Sequence, residues 1–475
     1  MDNATSKQRL APMASRRPQQ QNANQIVFRG RAASASADMM GTFPNCEPDT
    51  EQAPTPVFSY AVTDMRVAVC RKNTADDCQC ARDQPNVSNF ERQLTNAWDG
   101  AQASGVFRYG LNLMYKLLPG HYLLTVQLNI ERGNFRRKPH AFKSMNEPFD
   151  NRRFNFHKIR RREVLLDLRC TDRPITNDNL DRHMVVVNSA PIEHNHVLVL
   201  PSIDKCSRQC LSVECIRLMT DMLLLTHSTN MIIVFNSLLA LASVNHQHFH
   251  LLQWPYQTPM LKKPVEHVEC GVHALHAPEP WYVPAFVVQL TAIDQVDAFI
   301  RTAAATAAFL HERGVPHNVF MARTSALHVV SEGDAKRPFE HRQALLMRLG
   351  THDPQYATIY IFPRKSVPGA KPMDKFLPAA CELAGNLLIY NQKVFHNITE
   401  QDVLRIVRSE AGLPPGAFGT LRSGLQAHLK KIASSDPSTP LLRPADSSMP
   451  PLKTDSLIKK FSELGTGVTF GAFIE

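Results

Sequence analysis

Three histidines, His246, His248 and His250, occupy alternate positions in the stretch SVNHQHFHLLQWPY (Ser243–Tyr256). In an extended strand, residues i, i+2 and i+4 share one face, so the spacing predicts three imidazoles in a row, about 6.6 Å apart in succession. A neutral imidazole is a nucleophile able to attack the α-phosphorus of a nucleoside diphosphate and form a phosphoramidate. Flanking imidazoles and amides can then hold the phosphate oxygens as charge builds. Ser243 and Asn245, with Asn236 and Ser237 upstream, are the candidate phosphate-binding groups. Three other readings compete. A His-x-His pair on a strand can bind zinc, although no carboxylate follows at close range. A polar strand face without chemistry is the default for one histidine and less so for three in register beside Ser and Asn. A nucleic-acid surface would need an aromatic platform motif, and none is seen.

The elements that must position these residues come from a chain of 475 residues, 43% hydrophobic, with a formal net charge of +10. That length suits two or three domains or one large duplicated fold, and the charge suits an anionic partner. The 10 cysteines form no even ladder. With no secretory signal pattern at the N-terminus, a reducing, cytoplasmic setting is the simplest expectation. Cys78-Gln-Cys80 and the Cys206/Cys210/Cys215 set lack the paired repeat or neighbouring histidines of a zinc site. No apolar run reaches the ~18 residues of a membrane span.

Residues 1–55, rich in Gln, Asn, Ser, Ala and Pro, read as a disordered N-terminal arm, with a mitochondrial transit peptide as the lesser alternative. Residues 56–264 read as a first half. It contains a helix over 89–105 with Phe90, Leu94 and Ala97 on one side, strands at 121–130 and 163–170, a hairpin at 183–201, and a helix within 210–230. The strand MIIVFNSLL precedes the histidines. Residues 265–413 repeat the style, with strands WYVPAFVVQL, HNVFMART and YATIYIFPRK, a helix ending at Gly314, and helices around 376–391 and 399–411. Residues 414–452 read as a Pro/Ser linker and 453–475 as a C-terminal helix and tail. The alternation predicts an α+β class of antiparallel sheets with helices on one face, in two such halves.

The segments SVNHQHFH and VVVNSAPIEHNHVLVLP resemble the signature and preceding hairpin of the histidine-triad superfamily. Together with QLNIERGNFRRKPH, EPFDNRRFNFHKIRRREVLLDL, GVPHNVFMART and IFPRKSVPGAK, they resemble the GDP-D-glucose phosphorylases, relatives of galactose-1-phosphate uridylyltransferase. The resemblance covers roughly residues 89–413. It implies transfer of GMP from GDP-D-glucose to inorganic phosphate through a covalent GMP-histidine, with His248 as nucleophile and His246 and His250 as phosphate contacts. It implies no required cofactor, leaves a structural metal open, and makes a homodimer an option; nucleic acid and membrane are not expected partners. Arg132, Asn155, Lys158, Arg364, Lys365 and Lys371 lie in the matched segments as nucleotide-binding candidates, with Arg136 and Arg137 beside them. Asn195 stands where the superfamily has Gly, and Asn tolerates a left-handed backbone. The alternatives are a phosphorylase or hydrolase of another GDP-hexose, such as GDP-L-galactose, and a non-catalytic nucleotide-binding regulator.

Overall fold

The computed structural model describes residues 54–69, 87–173, 182–330, 354–369, 375–435 and 441–442, with the backbone of 27–29. Lys371, Cys78, Cys80, the segment 453–475 and nearly all of the 1–55 arm lie outside the described residues. The chain runs through β1 (Val27–Arg29), β2 (Val57–Tyr60), β3 (Ala68–Val69), α1 (Asn89–Ala103), β4 (Leu113–Leu117), β5 (Thr125–Leu128) and α2 (Ile130–Phe135). Next come β6 (Val164–Cys170), β7 (His183–Val187), β8 (Val197–Leu200), α3 (Val213–Leu224), β9 (Met231–Asn236) and β10 (Phe249–Gln253). The second half supplies β11 (Val265–Glu269), β12 (Val272–Leu275), β13 (Ala285–Leu290), α4 (Val296–Glu312), β14 (His317–Thr324), β15 (Val329–Val330) and β16 (Gln355–Pro363). It closes with α5 (Ala380–Leu383), β17 (Asn386–Ile389), α6 (Gln392–Asn397), α7 (Glu400–Glu410) and α8 (Ala417–Ser435).

Helix α1 starts where Ser88 Oγ accepts the Glu91 amide at 3.0 Å and Glu91 returns a carboxylate to the Ser88 amide at 2.9 Å, a reciprocal cap. Its Phe90, Leu94, Trp98 and Ala101 are buried, a stripe at helical spacing. Helix α4 ends before Gly314, whose φ of +65° a side chain would resist.

One large sheet runs in the order β15-β11-β12-β13-β16-β14-β9-β10-β8-β7-β6-β2, with β3 paired to β16. The two halves join at β14 and β9, which pair antiparallel from Asn318↔Asn236 to Met321↔Ile233. Pairing is antiparallel throughout except β2 with β6, β11 with β15 and β5 with β17, which are parallel. Side chains alternate along β9. Ile233 and Phe235 enter a core shared with α1, α3, α4 and α8. Ile232 and Val234 enter a second core, closed by the small sheet β1-β4-β5-β17 and by α5–α7. No helix among the described residues is long and apolar enough to cross a membrane.

Three expected elements differ. The helix expected over 376–391 is only α5 and then strand β17. Gly385 (φ +103°) turns the chain, and a Cβ there would lie 3.2 Å from Trp281. The linker expected over 414–452 carries the 19-residue helix α8, because Leu425 and Leu429 repeat at four-residue spacing and bury in the first core. The strand expected through the histidines begins only at Phe249.

Candidate active site

His250 alone of the three histidines lies in a strand, opposite Val234 of β9 and Leu198 of β8. His246 and His248 belong to the loop before β10, which contains left-handed turns at Leu239 (φ +60°) and Leu241 (φ +72°). The single imidazole face is therefore a correction. The His246 ring turns away from the cavity that His248 and His250 line. It packs 5.0 Å from Phe149 and 5.4 Å from His157. Its Nδ1 accepts the Phe156 amide at 3.3 Å, and its Nε2 lies 3.1 Å from the Ile203 carbonyl.

His248 is fixed from three directions. Its Nδ1 donates to the His246 carbonyl at 2.7 Å. Gln209 grips its backbone twice, with Oε1 accepting the His248 amide at 2.9 Å and Nε2 donating to the His248 carbonyl at 2.9 Å. The proton therefore sits on Nδ1, and the lone pair of Nε2 is the one left for chemistry. Removal from water lowers His246 and His248 to about 4 and holds His250 well below the ordinary imidazole value. A neighbouring histidine pushes His248 and His250 the same way, as does the positive charge of Arg137 on His248 and of Arg132 on His250. All three rings are neutral near pH 7.

The sequence reading missed His196. Its Nε2 lies 2.9 Å from His250 Nδ1 and 3.1 Å from Asn188 Nδ2. Its Nδ1 accepts the Ile192 amide at 3.0 Å, so the proton is on Nε2 and is donated to His250. His250 then carries its own proton on Nε2, as a donor. Asn195 adopts φ +57° just before it, the left-handed turn that the departure from Gly had suggested. The signal was present: pairing β8 with β10 puts His196 diagonal to His250 on the same face.

The cavity has two differently built lobes. One is mainly apolar, with Phe156 set 5.0 Å edge-on to the His248 ring and Ile159, Val186 and Leu198 around it; Arg137, set over the Phe154 ring, and Glu163 also border the cavity. The other carries Arg132, Arg136, Tyr390 and Glu382. Arg132 donates to the Ala190 carbonyl through Nη1, while its buried Nε finds no acceptor in the protein. Arg136 lies 5.8 Å over the Tyr390 ring. Glu382, 2% exposed, accepts the Ala379 amide at 3.0 Å. Burial pushes its carboxyl up to about 7.

The remaining candidates separate sharply. Ser243 and Asn236 line the cavity, although Asn236 Oδ1 is already taken by Asn318 Nδ2 at 2.6 Å. Asn245 spends its Nδ2 on the Glu147 and Pro148 carbonyls and its Oδ1 on the Gln209 amide, so it holds the loop. Ser237, 2% exposed, bonds the His317 amide. Asn155, 1% exposed, caps the turn at Phe156–Lys158, and Lys158 Nζ meets the Arg152 and Arg153 carbonyls. Arg364, 2% exposed, ties Asn318 Oδ1 to the Glu410 carbonyl, and Lys365 reaches the Ser409 carbonyl. Asn245, Ser237, Asn155, Lys158, Arg364 and Lys365 do not line the cavity; they build its frame.

Behind the loop, the fold supplies the histidines that Cys206 lacked in the linear sequence. Ligand atoms of His157, Cys206 and His246 lie within 4.8 Å of one another, with His157 Nε2 3.5 Å from Cys206 Sγ. These three could hold a metal ion only by displacing the Phe156 or Ile203 bond of His246.

The sequence matches the family described as GDPGP1-like, N-terminal domain over residues 89–252, and GDPGP1-like, C-terminal domain over 263–431. It is 37% identical over 407 residues to GDP-D-glucose phosphorylase 1 of Caenorhabditis elegans, covering 83% of this chain and 81% of that one. It is 30% identical over 393 residues to GDP-D-glucose phosphorylase 1 of Homo sapiens, covering 81% and 94%. Among solved structures, yeast Ap4A phosphorylase Apa2 in complex with AMP aligns with a TM-score of 0.46 at 13% identity, over 69% of this chain and 97% of that one. With both domain models matched in order and close to two-fifths of positions shared with the nematode protein, the chain belongs to the GDP-D-glucose phosphorylase 1 family.

Proposed function

We propose that this protein is a GDP-D-glucose phosphorylase that moves GMP from GDP-D-glucose to inorganic phosphate through His248. The observation that carries the reading is the state of that ring: neutral, with Nδ1 pinned to the His246 carbonyl at 2.7 Å and Nε2 left to the cavity. Nε2 attacks the α-phosphorus, the bond to the bridging oxygen breaks, and glucose 1-phosphate leaves. The ring, now bonded to phosphorus, is positively charged, and its Nδ1–H is already held by a carbonyl that favours that charge. His250, oriented by His196, offers its Nε2–H to a non-bridging oxygen. Inorganic phosphate then attacks the same phosphorus, the P–N bond breaks, GDP leaves and His248 returns neutral, so no net proton is required of the enzyme. The three cavity arginines, Arg132, Arg136 and Arg137, and the net charge of +10 favour both anionic substrates.

Incubation with GDP-glucose labelled in the GMP portion tests this. Wild type carries acid-labile label, which inorganic phosphate discharges as GDP. Unlabelled wild type, or label retained by His248→Ala, would sink the mechanism. Release of GMP without phosphate dependence would make the enzyme a hydrolase instead.

A further inference from the structure

We propose that Glu382 is the residue that reads the hexose, accepting sugar hydroxyls in a subsite beyond Arg132, on the side of the nucleophile opposite the base. This rests on the function proposed above. An in-line displacement at the α-phosphorus puts the leaving group away from His248, so nucleoside and hexose phosphate must occupy different parts of the cavity. The apolar wall at Phe156, Ile159 and Val186 suits a flat base, with Arg137 and Glu163 of the same cavity as polar groups for its edge. The opposite lobe is polar. Arg132 is close enough to His196 and His250 to disfavour their protonation, and close enough to Glu382 to favour its carboxylate. Arg132, His250 and Glu382 border one cavity, in which the guanidinium is the seat for a β-phosphate. The buried Nε of Arg132, without an acceptor in the protein, is what an anionic ligand would satisfy.

Glu382 then occupies the next station outward. It is presented by the short helix α5, and the capping residue Ala379 together with Ala380 to Glu382 borders the cavity. A carboxylate buried to 2% exposure is costly unless its oxygens are bonded. The protein supplies main-chain bonds, from the Ala379 amide at 3.0 Å and from the Glu382 and Leu388 amides. Those amides aim the carboxylate, which borders the cavity and keeps lone-pair capacity for a sugar hydroxyl. The burial that raises the Glu382 carboxyl to about 7 also strengthens any hydrogen bond it accepts.

Two reactions of one enzyme separate this role from a structural one. Phosphorolysis of GDP-glucose needs the hexose. Exchange of radiolabelled inorganic phosphate into GDP uses the same His248 chemistry with no hexose present. Glu382→Gln is expected to lose about 100-fold or more in kcat/KM for GDP-glucose, while phosphate–GDP exchange stays within about threefold. Glu382→Asp, which keeps the charge, recovers part of the phosphorolysis. Wild type tested with GDP-glucose analogues lacking single sugar hydroxyls gives the same answer without a mutation: at least one analogue loses about 100-fold in kcat/KM. Equal loss of both reactions in Glu382→Gln, or no loss in either, overturns the assignment. Absence of exchange in wild type would instead bring down the GMP-histidine mechanism and this inference with it.

Discussion

The loop that carries His246 and His248 and the wall that faces them are both rich in polar groups, but they use them in opposite ways. In and behind the loop, Asn245 and Gln209 are fully occupied and Gln247 spends both its amide protons. Gln247 donates to the Cys210 carbonyl at 2.7 Å and to Ser212 Oγ at 3.1 Å, and Gln209 adds the Asn236 carbonyl at 3.0 Å to its two bonds with His248. Across the cavity, Arg132 keeps a buried donor unpaired and Glu382 sits at the surface of the void. Amides beside a nucleophile hold its geometry; a buried donor left unpaired, as Arg132 Nε is, waits for the ligand. Two histidines only two residues apart fall on opposite sides of this division.

The contrast is sharpest between those two histidines. His248→Ala removes the nucleophile and should lower phosphorolysis by about 10⁴-fold or more with an unchanged melting temperature. His246→Ala should do the reverse, lowering the melting temperature as the Phe156 and Ile203 bonds are lost, while the purified protein still takes up GMP label. Loss of label from a folded His246→Ala protein would break the division. Next in size is Gln209→Ala, which releases both backbone contacts of His248. Turnover should fall about 10²-fold, with KM for GDP-glucose changed little. His196→Ala acts only through His250 and should cost about tenfold, an order less than losing a direct oxyanion donor.

Acidity offers a test that needs no mutation. The reactive form of His248 is neutral and its pKa is lowered to about 4. At constant concentration of the dianionic phosphate and of the fully ionised GDP, phosphate–GDP exchange should therefore hold steady as pH falls from 8 to about 5 and decline only on approach to 4, whereas an exposed imidazole would lose activity near its reference pKa of about 6.5. The smallest effects belong to the frame. Lys158→Ala and Lys365→Ala, both exposed and outside the cavity, should change kcat/KM by less than about twofold.

Much of the scaffold was legible because its signals are local. The Phe90–Leu94 side of α1, the hairpin of β7 and β8 and the stop of α4 at Gly314 are each set by neighbours in sequence. The histidine motif was legible as chemistry and misleading as geometry. Period-two spacing assumes an extended backbone, and left-handed turns at Leu239 and Leu241 let the loop swing His246 backward. His196 escaped notice because its partnership with His250 spans 54 positions and depends on strand pairing. Arg364 shows the opposite failure. A basic residue in a matched segment looks like a phosphate ligand until its guanidinium is found tied to Asn318 and Glu410. Glu382 borders the cavity only because α5 folds against the far half of the sheet, which no local pattern announces.

The seam between β9 and β14 has a kinetic consequence. Asn236 and Asn318, opposite one another at the end of that ladder, are bonded at 2.6 Å, and Ser237 and His317 cross-link the next step. His248 and Glu382 thus come from separate halves of a single covalent chain. Bringing them together is an intramolecular event with a fixed effective concentration, so dilution cannot pull these two contributors apart.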